Sequence, residues 1–160
     1  MEINWMAILL ASLSTLVLGF IWYNPKVFGN IWMKEAGLTL ESLKGANMFK
    51  MLAGSFIYAF LMSIVLQFLV IHQWGVYSSQ LNIKDVDPTI YKNFMDAFGH
   101  TYRTFKHGAF HGFISGLFLA LPLIGTNALY ERRSFKYVLV TGGFWIVSFM
   151  IMGGIICMMQ

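Results

Sequence analysis

Charge is what this sequence has least of. Of its 160 residues, 11 are Lys or Arg and 7 are Asp or Glu, 11% in all, against about 25% in soluble domains. That excludes an ordinary soluble domain, and 58% hydrophobic residues exclude a disordered chain. A single cysteine, Cys157, cannot close an intramolecular disulfide, so a secreted disulfide scaffold is excluded too. The chain also lacks a P-loop, a dinucleotide glycine fingerprint and an HExxH motif, and no acid is placed to orient His111 towards Ser115. No enzyme template fits. The net charge of +4 comes without a basic cluster interleaved with aromatics, so nucleic acid is not an expected partner. Glu2 stands where a signal peptide carries basic residues, and the first helix is expected to stay in the mature protein.

What is present is long uncharged sequence. Residues 3–25, 51–83, 107–130 and 137–160 hold no Asp, Glu, Lys or Arg. About 20 apolar residues cross a bilayer core, and each stretch is long enough. The reading is a single all-α membrane domain over 1–160, a four-helix bundle with spans near 5–23, 51–71, 108–129 and 137–159. Small residues at four-residue spacing support close helix packing: Ala7, Ala11, Thr15 and Gly19; Ser55, Ala59 and Ser63; Gly108, Gly112 and Gly116. These ridges could serve the bundle, a homo-oligomer or a membrane protein partner. The absence of charge inside the spans counts against a proton-coupled transporter.

Seven Lys and Arg lie in the first and third links: Lys26, Lys34, Lys44, Lys50, Arg132, Arg133 and Lys136. Four lie in the second: Lys84, Lys92, Arg103 and Lys106. The excess places the first and third links in the cytoplasm and both termini outside. Within the first link, Asn24-Pro25 is a helix start and Gly37 a C-cap, predicting a short helix over 25–36. It would lie along the membrane surface or fold onto the bundle end. Asp87-Pro88 repeats the start signal, and Ile90, Phe94, Phe98 and Phe105 continue near helical spacing. Helix three is therefore expected to extend outward from the membrane, leaving residues 74–86 irregular, with a kink at Pro122.

Histidine placement is the most informative feature. His72, His100, His107 and His111 all fall near the predicted outer side. On an extended helix three, Asp96, His100, His107 and His111 would share one face. His107 and His111, one turn apart, can place two imidazoles on one metal, and His72 could add a third. Cys157, Met158 and Met159 are soft donors suited to copper(I), and a histidine pair from two helices could instead grip a haem. A transition metal or a haem is thus the cofactor this pattern would take.

Two segments carry a family likeness. Gly19-Phe20-Ile21-Trp22-Tyr23-Asn24-Pro25, followed by Phe28-Gly29 and Trp32-Met33, is the first. Thr126 through Ser134, with Asn127, Tyr130, Glu131, Arg132 and Arg133 and the later Gly142 and Trp145, is the second. Together they resemble a family of small integral membrane proteins catalogued as domain of unknown function 1761. Membership implies about four helices and a mostly bacterial distribution, hence a cytoplasmic (inner) membrane, and implies no activity. It draws attention to Trp22, Tyr23, Asn24, Pro25, Asn127, Tyr130, Glu131 and Arg132 as a face for lipid or a partner, or as a lock between helix ends. Asn127 is expected to be buried and hydrogen-bonded. From sequence the function reads first as a non-enzymatic accessory or assembly subunit packing against membrane partners or the lipid bilayer. The alternatives are a metal- or haem-binding membrane protein and a small oligomeric channel or transporter.

Overall fold

In a computed structural model of the chain, which describes residues 1–81 and 87–160, every regular element of the described residues is helical. Four helical segments are long and apolar enough to cross a membrane: Trp5–Trp22, Met48–Val70, Phe105–Tyr130 and Phe135–Met159. The first two are α1 and α4, and the last is α9. The third is built of α7 (Phe105–Ser115), a π-helical turn over Gly116–Ala120 and α8 (Leu121–Tyr130). Pro122 lacks an N–H and crowds the preceding turn, and the wider π turn just before it absorbs the mismatch inside a continuous helix.

Both termini lie at one end of the bundle. Asn4 caps α1 through Ala7 N–H and donates its Nδ2 to the Met159 carbonyl at 2.7 Å, tying the two ends of the chain together. The core there comprises Ala11, Leu66, Val70, Ile71, Phe149, Met152, Ile156 and Cys157, contributed by α1, α4 with its C-cap, and α9. Ser12 and Ser63 meet at 3.1 Å between α1 and α4, the kind of interhelical bond that holds helices together where lipid supplies no hydrophobic drive. The third span packs on α9 through its glycine ridge. A Cβ at Gly108 would overlap the Gly153 carbonyl, and one at Gly112 the Phe149 carbonyl. One at Gly116 would lie 2.6 Å from Ile146 Cα. The ridges of α1, α4 and α7 therefore face inward for the most part: Ala7, Ala11, Thr15, Ala59, Ser63, Gly108, Gly112 and Gly116 are all buried.

At the opposite end, the link after α1 follows the sequence signals. Asn24 accepts from Lys26 N–H, Pro25 opens a π-helical turn to Gly29, and α2 (Asn30–Ala36) closes on Gly37 at φ 68°. Gly29 is required, because a Cβ there would overlap the Tyr23 carbonyl. This short helix is folded onto the start of α9. Arg133 Nη1 donates to the Ala36 carbonyl at 2.7 Å, and the Ser134 hydroxyl donates to Glu35 Oε2. A further short helix, α3 (Leu40–Lys44), precedes α4 and carries a Thr39/Ser42 capping box.

The second link departs from expectation in two ways. Of residues 74–86, expected to be irregular, 74–80 belong to α5 (Gln73–Gln80), while 82–86 lie outside the described residues. Asp87-Pro88 does start a helix, α6 (Pro88–Phe98), but it ends at Gly99 and a turn separates it from α7. The turn breaks because Tyr102 adopts φ 65° and Thr104, extended, caps a new helix by accepting from His107 N–H. Helix three has no continuous outward extension.

Candidate metal centre

The break in the second link brings three histidines together. α4 stops at Val70, Ile71 is extended, and His72 opens α5 at the terminal end of the bundle. Trp74 anchors that corner, its ring 5.0 Å from Phe68. Gln73, 5% exposed, points the other way and donates to the Phe98 carbonyl at 2.8 Å and the Thr101 carbonyl at 3.1 Å. α5 is thereby stitched to the turn before α7. His107 lies in the first turn of α7 and His111 one turn on, so both rings project towards His72.

The ring centroids of His72, His107 and His111 lie 4.5 to 5.0 Å apart. One nitrogen from each ring falls within 4.8 Å of the others, and the Nε2 atoms of His72 and His107 share a hydrogen bond of 3.0 Å. One of that pair donates as N–H and the other accepts, so at least one is unprotonated at Nε2. Three imidazoles bound to zinc at ~2.0–2.1 Å in a tetrahedron hold their nitrogens about 3.3 Å apart. The observed nitrogens, all within 4.8 Å of one another and one pair at 3.0 Å, lie near that spacing. A haem gripped by two histidines needs their nitrogens on opposite faces of the macrocycle, whereas the His72 and His107 nitrogens, meeting at 3.0 Å, leave no slot between them. The three nitrogens together fit one ion better than a haem held between two of them.

Other sequence candidates fall outside the cluster. His100 is exposed in the turn, and Asp96 pairs with Lys92 on α6 at 3.6 Å, because the broken helix removes the shared face. Cys157 is buried beside the site, but its Sγ approaches the Tyr102 carbonyl at 3.3 Å and the Val70 carbonyl at 3.9 Å. Tyr102 was not visible as a site residue in the sequence. Its ring stacks on His107 at 5.0 Å with planes 20° apart. Gln73 carried a faint signal, an amide next to a histidine at a helix end. The left-handed backbone of Tyr102 had no signal at all.

At the other end of the bundle, the eight residues proposed as a face or lock separate into two groups. Trp22 Nε1 donates to the Val140 carbonyl at 3.1 Å, and Tyr23 packs against Trp32 and Phe144 at 5.1 and 5.2 Å. With the Asn24 and Pro25 helix start, this is a lock within the chain. Asn127, Tyr130, Glu131 and Arg132 are exposed, and Glu131 pairs with Arg133 at 3.6 Å. The expectation that Asn127 is buried is overturned: α8 turns Ala128, not Asn127, towards the bundle.

Fold and site define a class, a four-helix membrane protein with a cluster of three imidazoles at one end of the bundle. Over residues 6–157, nearly its whole length, the chain matches the family described as "Protein of unknown function (DUF1761)", and it belongs to that family. Neither the curated proteins nor the solved structures contain a match.

Proposed function

We propose that this chain is a membrane protein that binds a single transition-metal cation of the zinc class through His72, His107 and His111. The observation that carries the reading is the convergence of three imidazole nitrogens, from two separate elements, within 4.8 Å. Imidazole favours zinc, copper(II) and nickel over calcium and magnesium. A divalent cation would take the place of the hydrogen shared by His72 and His107, the donor ring keeping its one proton at Nδ1, and would leave a fourth position for water or another donor. Three protein ligands with one open position suit exchange or delivery of the ion better than a purely structural role. The small-residue ridges pack largely inside the chain, which leaves less of them for a partner subunit.

Cobalt(II) tests the reading, with protein purified without a polyhistidine tag. One equivalent should give the visible bands of a tetrahedral nitrogen site, and zinc should bleach them. An octahedral, aquo-like spectrum at every cobalt concentration would sink it.

The excess of basic residues in the first and third links supports a cytoplasmic location for them, with the metal centre outside a bacterial inner membrane. Lys44 and Asn93 are exposed at opposite ends, and the buried Cys157 can remain in place. An impermeant maleimide applied to intact cells should label Asn93→Cys and spare Lys44→Cys. The reverse pattern would invert the orientation.

A further inference from the structure

We infer that Tyr102 is a positioning residue of the metal centre, held on His107 by a strained turn that Gln73 and Cys157 pin in place. The inference rests on the reading of the histidines as ligands. A bulky aromatic residue in the left-handed region is a backbone outlier, which persists only where the surroundings over-determine it. Here they do. Thr104 N–H donates to the Tyr102 carbonyl at 2.8 Å, and the Cys157 thiol donates to the same oxygen at 3.3 Å. Gln73 holds both the Phe98 carbonyl, at the end of α6, and the Thr101 carbonyl, immediately before Tyr102. Arg103 Nε closes it further by donating to the Gly99 carbonyl at 2.9 Å. Two of these clamps, Gln73 and Cys157, are themselves buried.

The strain is not offset by burying the tyrosine, which is 63% exposed. What the turn achieves is the parallel stack on the His107 ring. Metal-binding imidazoles are ordinarily oriented by a hydrogen bond from their second nitrogen to a carboxylate or carbonyl. Among the described residues, the His107 ring has a single hydrogen bond, from Nε2 to His72. The stack supplies the missing restraint: it fixes the rotation of the ring so that Nε2 faces His72. Cys157 accordingly serves the site through the Tyr102 carbonyl rather than as a soft ligand.

Tyr102→Gly and Tyr102→Phe separate positioning from simple folding. Glycine adopts the left-handed backbone freely, so the metal-free glycine variant should melt no lower than the wild type. Its zinc affinity should nevertheless fall about 10- to 100-fold, the usual range for outer-shell partners, and its cobalt spectrum should shift. Phenylalanine keeps the stack and should hold zinc within about twofold of the wild type by the same measure. Equal zinc affinity in wild type and Tyr102→Gly overturns the inference alone, as does a loss in Tyr102→Phe as large as that in Tyr102→Gly. No zinc binding by the wild type overturns the reading of the histidines and the inference with it.

Discussion

Replacing His107 and His111 together by alanine should abolish zinc binding and leave the bundle folded. Structural zinc sites with four ligands bind with roughly 10–16 kcal/mol, or about 2.5–4 kcal/mol per ligand. Each lost imidazole therefore removes on the order of two to three decades of affinity. With His72 left alone, binding should fall by at least about four decades, beyond detection in a titration at micromolar protein. The metal-free fold loses little. Both rings are only half-buried, and the one side-chain hydrogen bond removed among the described residues, to His72, is worth about 1 kcal/mol. His100→Ala is the matched control: the residue is exposed and outside the cluster, so its loss should leave zinc affinity unchanged. Isothermal titration of the three proteins decides the matter. Retained binding in the double variant would place the ion elsewhere.

The second large effect concerns the bundle itself. Gly112→Leu should destroy the packing of the third span on α9. At Gly112 the obstruction to a side chain is the Phe149 carbonyl and the Met150 amide, and backbone does not swing aside as a flexible side chain does. The neighbouring ridge positions Gly108 and Gly116 meet α9 backbone in the same way, so the helix cannot escape by sliding one turn. In a bilayer this close approach is the principal attraction between the helices. Overpacking there should cost about 3 kcal/mol or more, at the upper end of such substitutions. Gly54 lies in α4 with nothing within 4 Å of its added Cβ, and Gly54→Leu should be neutral or stabilising by up to about 1 kcal/mol. Thermal midpoints in mild detergent compare the pair. Equal midpoints would mean that the glycine ridge does not carry the interface.

Much of the architecture was legible because lipid imposes severe chemical demands. Spans must be uncharged over about 20 residues, and the four uncharged stretches mark the four long apolar helical segments found among the described residues. Asn24-Pro25 and Gly37 delimit the short link helix because capping is a local interaction. The second link was read poorly for a physical reason. Phe98 and Phe105 are seven residues apart, so the apolar period continues straight through a turn that physically breaks the helix. Nothing local announces that Tyr102 takes a left-handed backbone, since its clamps come from Gln73 and Cys157, 29 and 55 positions away in sequence. That break moved His100 out of the site and kept His107 and His111 in it. Asn127 was misplaced because an aliphatic span gives little indication of which side faces protein and which faces lipid. The pairing of Arg133 and Ser134 with Ala36 and Glu35, about a hundred residues apart, was equally invisible.

The histidine triad is the claim on which the rest depends, and metal content tests it most directly. Tag-free protein, stripped with chelator, is equilibrated with zinc, passed through a desalting column and analysed for metal per chain. The three-imidazole site predicts one zinc per wild-type chain and none retained by the His107→Ala/His111→Ala variant. Wild type that retains no more zinc than the variant would contradict it.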